Sequence, residues 1–408
     1  MKKQNLLILL FIIIVIFSTQ FLRFAYWKQL TGGLDQNYYV LYPLIVLFAI
    51  PCISLVYKKN KYAKEIIALG VVSYLCIITI IAKGTGFSTK YDLPPILFSM
   101  AIFYYFPLSY YHVSKKSIIN SVLVVGLFVF FIQVIQQLNP SLAIFGILNP
   151  EEAHLYGDIA TMRNDLYRFI LPTYQISLFC LFYSWVQLLV KRDIKSLLLF
   201  VCFAISVYLY LTRQIIFTSI IVLALTSFFG KNTNKRQSSW LPILFAIIIF
   251  CFSTALFGDF VEMTIEGGGS TEHRMESYQF FTAMIGENLF TFLFGCGTPK
   301  ETLIWHEMGL SASDIGFVGE VFHKGIFALL IYLVILYKAL IKYKRETPLF
   351  IRLYLICTFI NSIMIFPYVS GHTYILWAIL LYIADIKVSG STTETRGNIR
   401  VVLKQRNH

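Results

Sequence analysis

Charged residues are scarce in this chain. Asp, Glu, Lys and Arg make up 13% of its 408 residues, which is about half of the share typical of soluble domains. Hydrophobic residues make up 57%. This composition excludes an ordinary soluble domain and predicts a protein whose surface lies mostly in a lipid bilayer.

The patterns of several function classes are also missing. The seven cysteines form no Cys-x-x-Cys pair and no Cys/His spacing typical of zinc, so we expect neither a disulfide framework nor a metal site. Gly295-Cys296-Gly297 is too short for a phosphate loop, and we expect no cofactor. The net charge of +13 would suggest nucleic acid in a soluble protein. In an apolar chain it matters more where the basic residues lie, and we expect no nucleic-acid partner.

Long apolar runs fill most of the sequence. A helix needs about 20 mostly apolar residues to span a bilayer, and twelve candidates meet this description. We therefore predict an all-α polytopic membrane protein, with a single transmembrane domain over 1–389 and a disordered polar tail over 390–408. The candidates lie near 5–22, 38–57, 65–82, 95–111, 117–137, 168–190, 196–211, 214–229, 240–257, 315–337, 349–366 and 372–386.

The basic residues predict the orientation. When sides are alternated from a cytoplasmic N-terminus, most of the 34 lysines and arginines fall on the cytoplasmic side, as the positive-inside rule requires. Both termini are then cytoplasmic. The two long outer loops are 138–167 and 258–314, and the second lies between the ninth and tenth predicted helices. Because loops on a rigid scaffold often carry function, we expect the site in these two loops.

Arg274 is the first candidate in the large loop. It follows a glycine triplet, Gly267–Gly269, and Ser270 or Thr271 is a candidate N-cap of the next helix. A guanidinium near a helix N-terminus suits a phosphate, which arginine binds through two hydrogen bonds. The alternative is a solvated arginine paired with a neighbouring glutamate.

The segment after Arg274 has amphipathic character. From Met275 to Phe294, helical spacing places Tyr278, Phe281 and Ile285 on one face, while polar residues interrupt the rest. An additional membrane crossing here would reverse the orientation of all later loops. We therefore predict one interfacial helix lying on the bilayer.

Three further arginines lie where predicted helices meet the outer surface. Arg213 stands between two apolar runs, and Arg163 and Arg168 close the other outer loop. Cations on this side oppose the positive-inside trend, which indicates a local anion. The alternative is anchoring of each arginine to lipid headgroups.

The start of the tenth predicted helix carries ionisable residues within an apolar run. Asp314 is a candidate base, or a residue that favours the positive end of the helix dipole. Glu320 is a candidate substrate ligand, although Lys324 follows at the i,i+4 spacing of a simple ion pair. His306 is a candidate proton carrier or a solvated loop histidine.

Three stretches together resemble the bacterial O-antigen polymerase and O-antigen ligase superfamily. The first is the arginine that enters a helix in Leu211-Thr212-Arg213-Gln214. The second runs from Glu272-His273-Arg274 to a "PlfGxG"-like turn at Phe290–Gly297, in which Thr291-Phe292 replaces "Pl". The third runs from Ser313-Asp314 to Lys324-Gly325-Ile326-Phe327. Asp314 stands where the ligases usually carry a histidine, which favours a polymerase.

The resemblance implies a C-type glycosyltransferase architecture in the bacterial cytoplasmic membrane, with no nucleotide-sugar donor and no required metal. Such an enzyme polymerises O-antigen or capsular polysaccharide by moving a growing glycan from undecaprenyl diphosphate to a new lipid-linked repeat unit at the periplasmic face. Arg213 and Arg274 would then bind the diphosphate and Asp314 would serve the acceptor. Further substrate contacts would come from Arg163, Arg168, His306 and Glu320. A chain-length regulator and a flippase are the implied protein partners.

Three alternatives remain open at this point. The first is a ligase that transfers finished polymer to a lipid core. The second is a flippase or other transporter of lipid-linked oligosaccharide, although no inverted repeat is evident in the sequence. The third is a non-catalytic scaffold for polysaccharide export.

Overall fold

The structure is a computed structural model that describes residues 3–18, 38–82, 99–138, 162–163, 166–167, 174–229, 269–297, 304–305, 308–312, 315–363 and 371–386. These residues are helical apart from short connections and one two-residue antiparallel pair, β1 (Met162–Arg163) with β2 (Leu166–Tyr167). A 3-10 turn (Ala101–Tyr104) precedes α4, and a π-helical turn (Lys338–Lys342) continues α11. The helices are α1 (Lys3–Ser18), α2 (Tyr38–Val56), α3 (Ala63–Ala82), α4 (Tyr105–Tyr110), α5 (Lys115–Leu138), α6 (Tyr174–Lys191), α7 (Ile194–Leu209), α8 (Arg213–Phe229), α9 (Gly269–Glu287), α10 (Leu289–Phe294), α11 (Gly316–Tyr337), α12 (Leu349–Asn361) and α13 (Gly371–Asp385).

Within the described residues, helices lie at the predicted positions. Three of these described helices are long and apolar enough to cross a membrane, judged by length and composition: Ala63–Ile81, Lys115–Leu138 and Gly316–Lys342. Residues 99–110, the described part of the helix predicted near 95–111, are helical throughout, with the 3-10 turn lying directly before α4. The predicted helix near 240–257 and the tail 390–408 lie outside the described residues.

The outward faces of the helices are apolar. On α5, the exposed residues Val124, Phe128, Phe131 and Ile135 recur every three or four positions, while the opposite face buries residues such as Val129. A helix that is hydrophobic on all sides belongs in a protein core or in lipid. The exposed apolar stripe therefore indicates a membrane protein.

Helix α13 lies at the centre of the bundle. Every residue from Tyr374 to Ala384 is at most 4% exposed. The side chains of Trp377 and Tyr332 of α11 meet edge to face, with ring centroids 5.5 Å apart. Because this helix is apolar all round, burial against several neighbours is the arrangement that its sequence favours.

Ion pairs fasten one end of the bundle, which we call the Lys61 end. The Lys61 ammonium lies 2.6 Å from the Glu346 carboxylate, and its backbone N–H donates to Asp385 at the end of α13. Lys338 lies 2.6 Å from Glu65 of α3. The opposite end, where α8, α11 and α13 begin and α12 ends, is called the Arg213 end below.

Candidate functional site

The described part of the predicted large loop is helical and packs on the bundle. Two helices, α9 and α10, replace the single interfacial helix that we predicted over Met275–Phe294. The break lies at Asn288, whose side-chain oxygen accepts hydrogen bonds from the backbone N–H groups of Phe290 (2.9 Å) and Thr291 (3.4 Å). Asn288 thus ends one helix and caps the next, since its short amide competes for backbone donors.

The start of α9 also differs from the prediction. The helix begins at Gly269, so Ser270 and Thr271 lie in its first turn and are not N-caps. Our assignment of Tyr278 to the packed face is wrong as well, because its side chain is 48% exposed. Ser277 takes its place, one residue earlier, and shares the buried face with Phe281.

Aromatic contacts hold α9 against α11. The ring of Phe281 lies 4.7 Å from that of Phe322 and 5.7 Å from that of Trp305. The Ser277 hydroxyl accepts a hydrogen bond from the backbone N–H of Ser311 at 3.1 Å. Edge-to-face aromatic pairs contribute about 0.5–1.5 kcal/mol each beyond the area that they bury. These contacts fix the position of α9 along the axis of α11.

We expect Asn288→Ala to destabilise the protein by about 1 kcal/mol, because the amides of Phe290 and Thr291 in the first turn of α10 would lose their side-chain cap. Thermal unfolding of the purified protein measures this change. Glu287→Ala, which alters the neighbouring exposed residue, is the control and should leave the unfolding temperature unchanged. Equal stability of Asn288→Ala and the control would contradict the capping role.

Helix α11 is broken at Gly325, where φ is 81° and ψ is 167°. A helix break frees backbone carbonyls, and in a bilayer these need other donors. The non-helical segment Gly295–Gly297 supplies them: the N–H of Cys296 donates to the Phe322 oxygen and the N–H of Gly297 donates to the His323 oxygen, both at 2.9 Å. The two segments are thus joined backbone to backbone.

Histidine and glycine complete this junction. The His323 ring nitrogen Nδ1 lies 2.5 Å from the Gly297 carbonyl oxygen, to which it donates. A Cβ atom on Gly325 would lie 2.2 Å from the Leu293 carbonyl oxygen, and one on Gly295 would lie 2.4 Å from the His323 oxygen. Only glycine fits such a close backbone approach at positive φ.

A buried polar cluster lies on the first half of α11. The Lys324 ammonium donates to Glu320 Oε1 at 3.1 Å and to the Tyr374 hydroxyl of α13 at 2.6 Å. The predicted i,i+4 ion pair between Glu320 and Lys324 is therefore confirmed. The second carboxylate oxygen, Glu320 Oε2, is buried and has no hydrogen-bond partner. The sequence analysis did not identify Tyr374, because a tyrosine within an apolar run gives no signal of a partner fifty residues away.

Arg274 is exposed on α9 and makes no hydrogen bond or ion pair with any residue that the structure describes. The predicted alternative, a pair with a neighbouring glutamate, does not form with Glu276, whose carboxylate lies 3.4 Å from the His273 ring instead. Arg274 precedes Phe281 by seven residues, or two helical turns, and therefore lies on the face of α9 that meets α11. Its guanidinium is available to an external anion.

The helix that begins with Arg213 meets the end of α12. The Gln214 amide donates to the Asn361 carbonyl oxygen at 3.2 Å, and the Thr218 hydroxyl donates to the Asn361 side chain at 2.8 Å. The start of α11 reaches the same corner, because a Cβ atom on Gly316 would lie 2.3 Å from the Ile363 carbonyl oxygen. The first turns of α8 and α11 are thereby brought together.

The other predicted site residues cannot be placed. The backbone of Arg163 forms part of β1, but its side chain and that of Arg213 lie outside what the structure describes, as do Arg168, His306 and Asp314. Convergence of Arg213 and Arg274 therefore stays a prediction. Within the described ranges, no three His, Cys, Asp or Glu residues are grouped as a metal site would require.

A groove of about 340 Å³ lies elsewhere, between α3 and the second half of α11. Phe327, Leu330, Lys64 and Glu65 are among the residues that line it. Because Glu65 pairs with Lys338, the groove lies toward the Lys61 end of the bundle. Its mostly apolar wall suits lipid chains.

No protein-family model, curated protein or solved structure matches this chain. A functional conclusion therefore rests on four features of the structure. These are the exposed Arg274, the helix start at Arg213, the junction at Gly325 and the buried Glu320 cluster.

Proposed function

We propose that this protein is a glycosyltransferase of the bacterial cytoplasmic membrane that polymerises O-antigen or capsular polysaccharide. The observation that carries the proposal is the junction between Gly295–Gly297 and the break at Gly325. These are two of the segments on which the resemblance to the O-antigen polymerase superfamily rests. The two segments of the resemblance meet at one place in the fold, and this backbone contact supports a shared role.

The proposed architecture has twelve membrane helices, with the Arg213 end facing the periplasm and both termini in the cytoplasm. The Lys61 end carries a group of described basic residues in and beside the connections between helices, which supports a cytoplasmic location for it. They include Lys58, Lys59, Lys61, Lys64, Lys342, Lys344 and Arg345. The arginines proposed for substrate binding belong to the opposite end.

The proposed reaction joins two lipid-linked glycans. A hydroxyl oxygen of the new repeat unit forms a bond to the anomeric carbon of the growing chain, and the bond from that carbon to undecaprenyl diphosphate breaks. The diphosphate leaves with the bonding electrons, so cations placed around it lower the barrier. Arg274 and Arg213 fill this role, and Asp314 is the proposed base that takes the hydroxyl proton.

The proposal is tested by deleting the gene in the bacterium that carries it and separating its surface glycans by size. We expect long chains to disappear and glycan with a single repeat unit to accumulate, because the substrate is made but not joined. Full-length polymer that stays on undecaprenyl diphosphate would instead identify a ligase. Unchanged long chains would refute both functions.

A transporter is the second candidate, because a broken helix beside a buried ion pair is also how transporters build binding sites. The Glu320–Lys324 pair next to Gly325 is the observation in its favour. A flippase would be needed before any repeat unit reaches the periplasm. The same deletion would then leave no surface glycan of any length, and repeat units would remain on the cytoplasmic side.

A further inference from the structure

One oxygen of the buried Glu320 carboxylate has no described partner. Oε1 accepts from Lys324, while Oε2 is buried without a hydrogen bond. The residue as a whole is 4% exposed. Buried acceptors in proteins are nearly always satisfied, and those of charged groups most of all. An open carboxylate oxygen therefore points to a donor that binds from outside the chain.

The surroundings hold this carboxylate in one orientation. Lys324 is fixed between Glu320 and Tyr374, and its ammonium also lies 4.9 Å from the centre of the Tyr374 ring. His323, the neighbouring titratable group, is engaged with the Gly297 carbonyl oxygen. The ion pair leaves the cluster neutral, so it suits a neutral donor such as a hydroxyl better than a free cation or an anion.

The cluster lies close to the Arg213 end. Glu320 follows the start of α11 at Gly316 by four residues, and Tyr374 follows the start of α13 at Gly371 by three. At 1.5 Å per residue both lie about 5–6 Å from the beginnings of their helices. The carboxylate therefore lies about one helical turn from the end of the bundle where the proposed substrate binds.

Position distinguishes this pair, because Glu65 in its pair with Lys338 also has a buried Oε2 without a hydrogen bond but lies at the Lys61 end of the bundle. Taking two charges out of water costs about as much as their attraction returns, and apolar residues of the same volume often serve stability equally well. The pair also leaves one acceptor open, which adds a cost without any structural return. Ionisable residues retained at such a position mark a site.

We infer that Glu320 binds and orients the acceptor sugar through its Oε2 oxygen, which accepts a hydrogen bond from a hydroxyl of the incoming repeat unit. Lys324 and Tyr374 are positioning residues that hold the carboxylate in place. This inference rests on the proposed polymerase function and adds the acceptor site to it. The diphosphate of the donor is bound elsewhere, by the arginines.

Two double variants separate this role from a structural one. Glu320→Leu with Lys324→Met removes the pair without leaving a lone charge, and Glu320→Lys with Lys324→Glu keeps a pair but moves the carboxylate by one turn. We expect both to reach the membrane at normal levels. We expect both to reduce long-chain polymer about 100-fold in the deletion strain, because misplaced reactants lose about this factor. Single-repeat glycan should accumulate.

The matched control is the other ion pair on the continuation of α11, which joins Lys338 to Glu65 at 2.6 Å. Glu65→Leu with Lys338→Met should leave chain length unchanged. Binding of undecaprenyl diphosphate to the purified full-length protein in nanodiscs provides a second readout. The Glu320 variants should bind this probe as the wild type does, whereas Arg274→Ala should bind it weakly.

Long polymer in either Glu320 double variant overturns the inference, while the deletion phenotype of the proposed polymerase stands. Loss of undecaprenyl diphosphate binding in these variants also overturns it, because the cluster would then serve the donor. If neither double-variant protein reaches the membrane at normal levels, Tyr374→Phe tests the inference instead, since it removes only one hydroxyl group. We expect it to lower polymer yield about fivefold, the value of one hydrogen bond, and wild-type yield overturns the inference.

Discussion

Arg274→Ala is expected to abolish long-chain polymer while the protein still reaches the membrane. The side chain is exposed on α9 and has no partner among the described residues, so its removal leaves no buried group unsatisfied and should not disturb folding. Removal of the guanidinium would instead raise the energy of the transition state of glycosyl transfer. Removing one fixed donor from a developing negative charge costs a factor of about 100–1,000 in rate.

Arg274→Lys tests the geometry of the contact. Lysine keeps the charge but cannot form the two parallel hydrogen bonds of a guanidinium with a phosphate, so we expect poor rescue. The same pattern should appear for Arg213→Ala and Arg213→Lys. Chain-length distribution in the complemented deletion strain measures all four.

Arg345→Ala is the matched control for loss of an exposed arginine, because Arg345 lies beyond α11 at the Lys61 end of the bundle. It should leave chain length unchanged. Wild-type chain lengths in Arg274→Ala would refute the role of this residue in binding diphosphate. Absence of the protein from the membrane would contradict the expectation that Arg274 contributes nothing to folding.

Gly325→Ala is expected to have the largest effect on stability. Its φ of 81° is strained for any residue with a side chain, and the new methyl group would lie 2.2 Å from the Leu293 carbonyl oxygen. Backbone strain of this kind costs about 1–3 kcal/mol, and an overfilled contact adds a similar amount. The junction between α10 and α11 would have to open, with loss of two backbone hydrogen bonds.

The change in thermal unfolding of the detergent-purified protein measures this effect. Gly286→Ala is the control, because a Cβ atom there meets nothing within 4 Å and the residue lies inside α9. Alanine favours a helix over glycine by up to about 1 kcal/mol, so the control should be as stable as the wild type or more so. Equal unfolding temperatures for the two variants would show that the junction tolerates a side chain.

Local patterns predicted much of this molecule. The apolar runs predicted the helix positions, because the backbone of an apolar segment in lipid must satisfy its own hydrogen bonds within a helix. The i,i+4 spacing predicted the pair of Glu320 with Lys324, because one turn brings such residues side by side. Phosphate binding by Arg274 stays a prediction, and the structure leaves its exposed side chain without a described partner.

Helical periodicity gave wrong predictions around two polar residues, Asn288 and Ser277. The predicted helix over Met275–Phe294 divides at Asn288, and Ser277 rather than Tyr278 faces the bundle. Ideal helical spacing had placed the large aromatic residue Tyr278 on the buried face. The actual rotation of α9 follows from the packing of Phe281 against Phe322 and Trp305, which no local pattern reports.

The amino-acid sequence by itself determined the helical, membrane-embedded character of the protein and the pairs that lie within one helical turn. Only the tertiary structure decided that Gly295–Gly297 completes the broken helix at Gly325, and that Tyr374 joins Lys324. These contacts link residues about 26 to 50 positions apart. Their energies depend on how whole helices pack, and side-chain spacing along one helix carries no information about its neighbour.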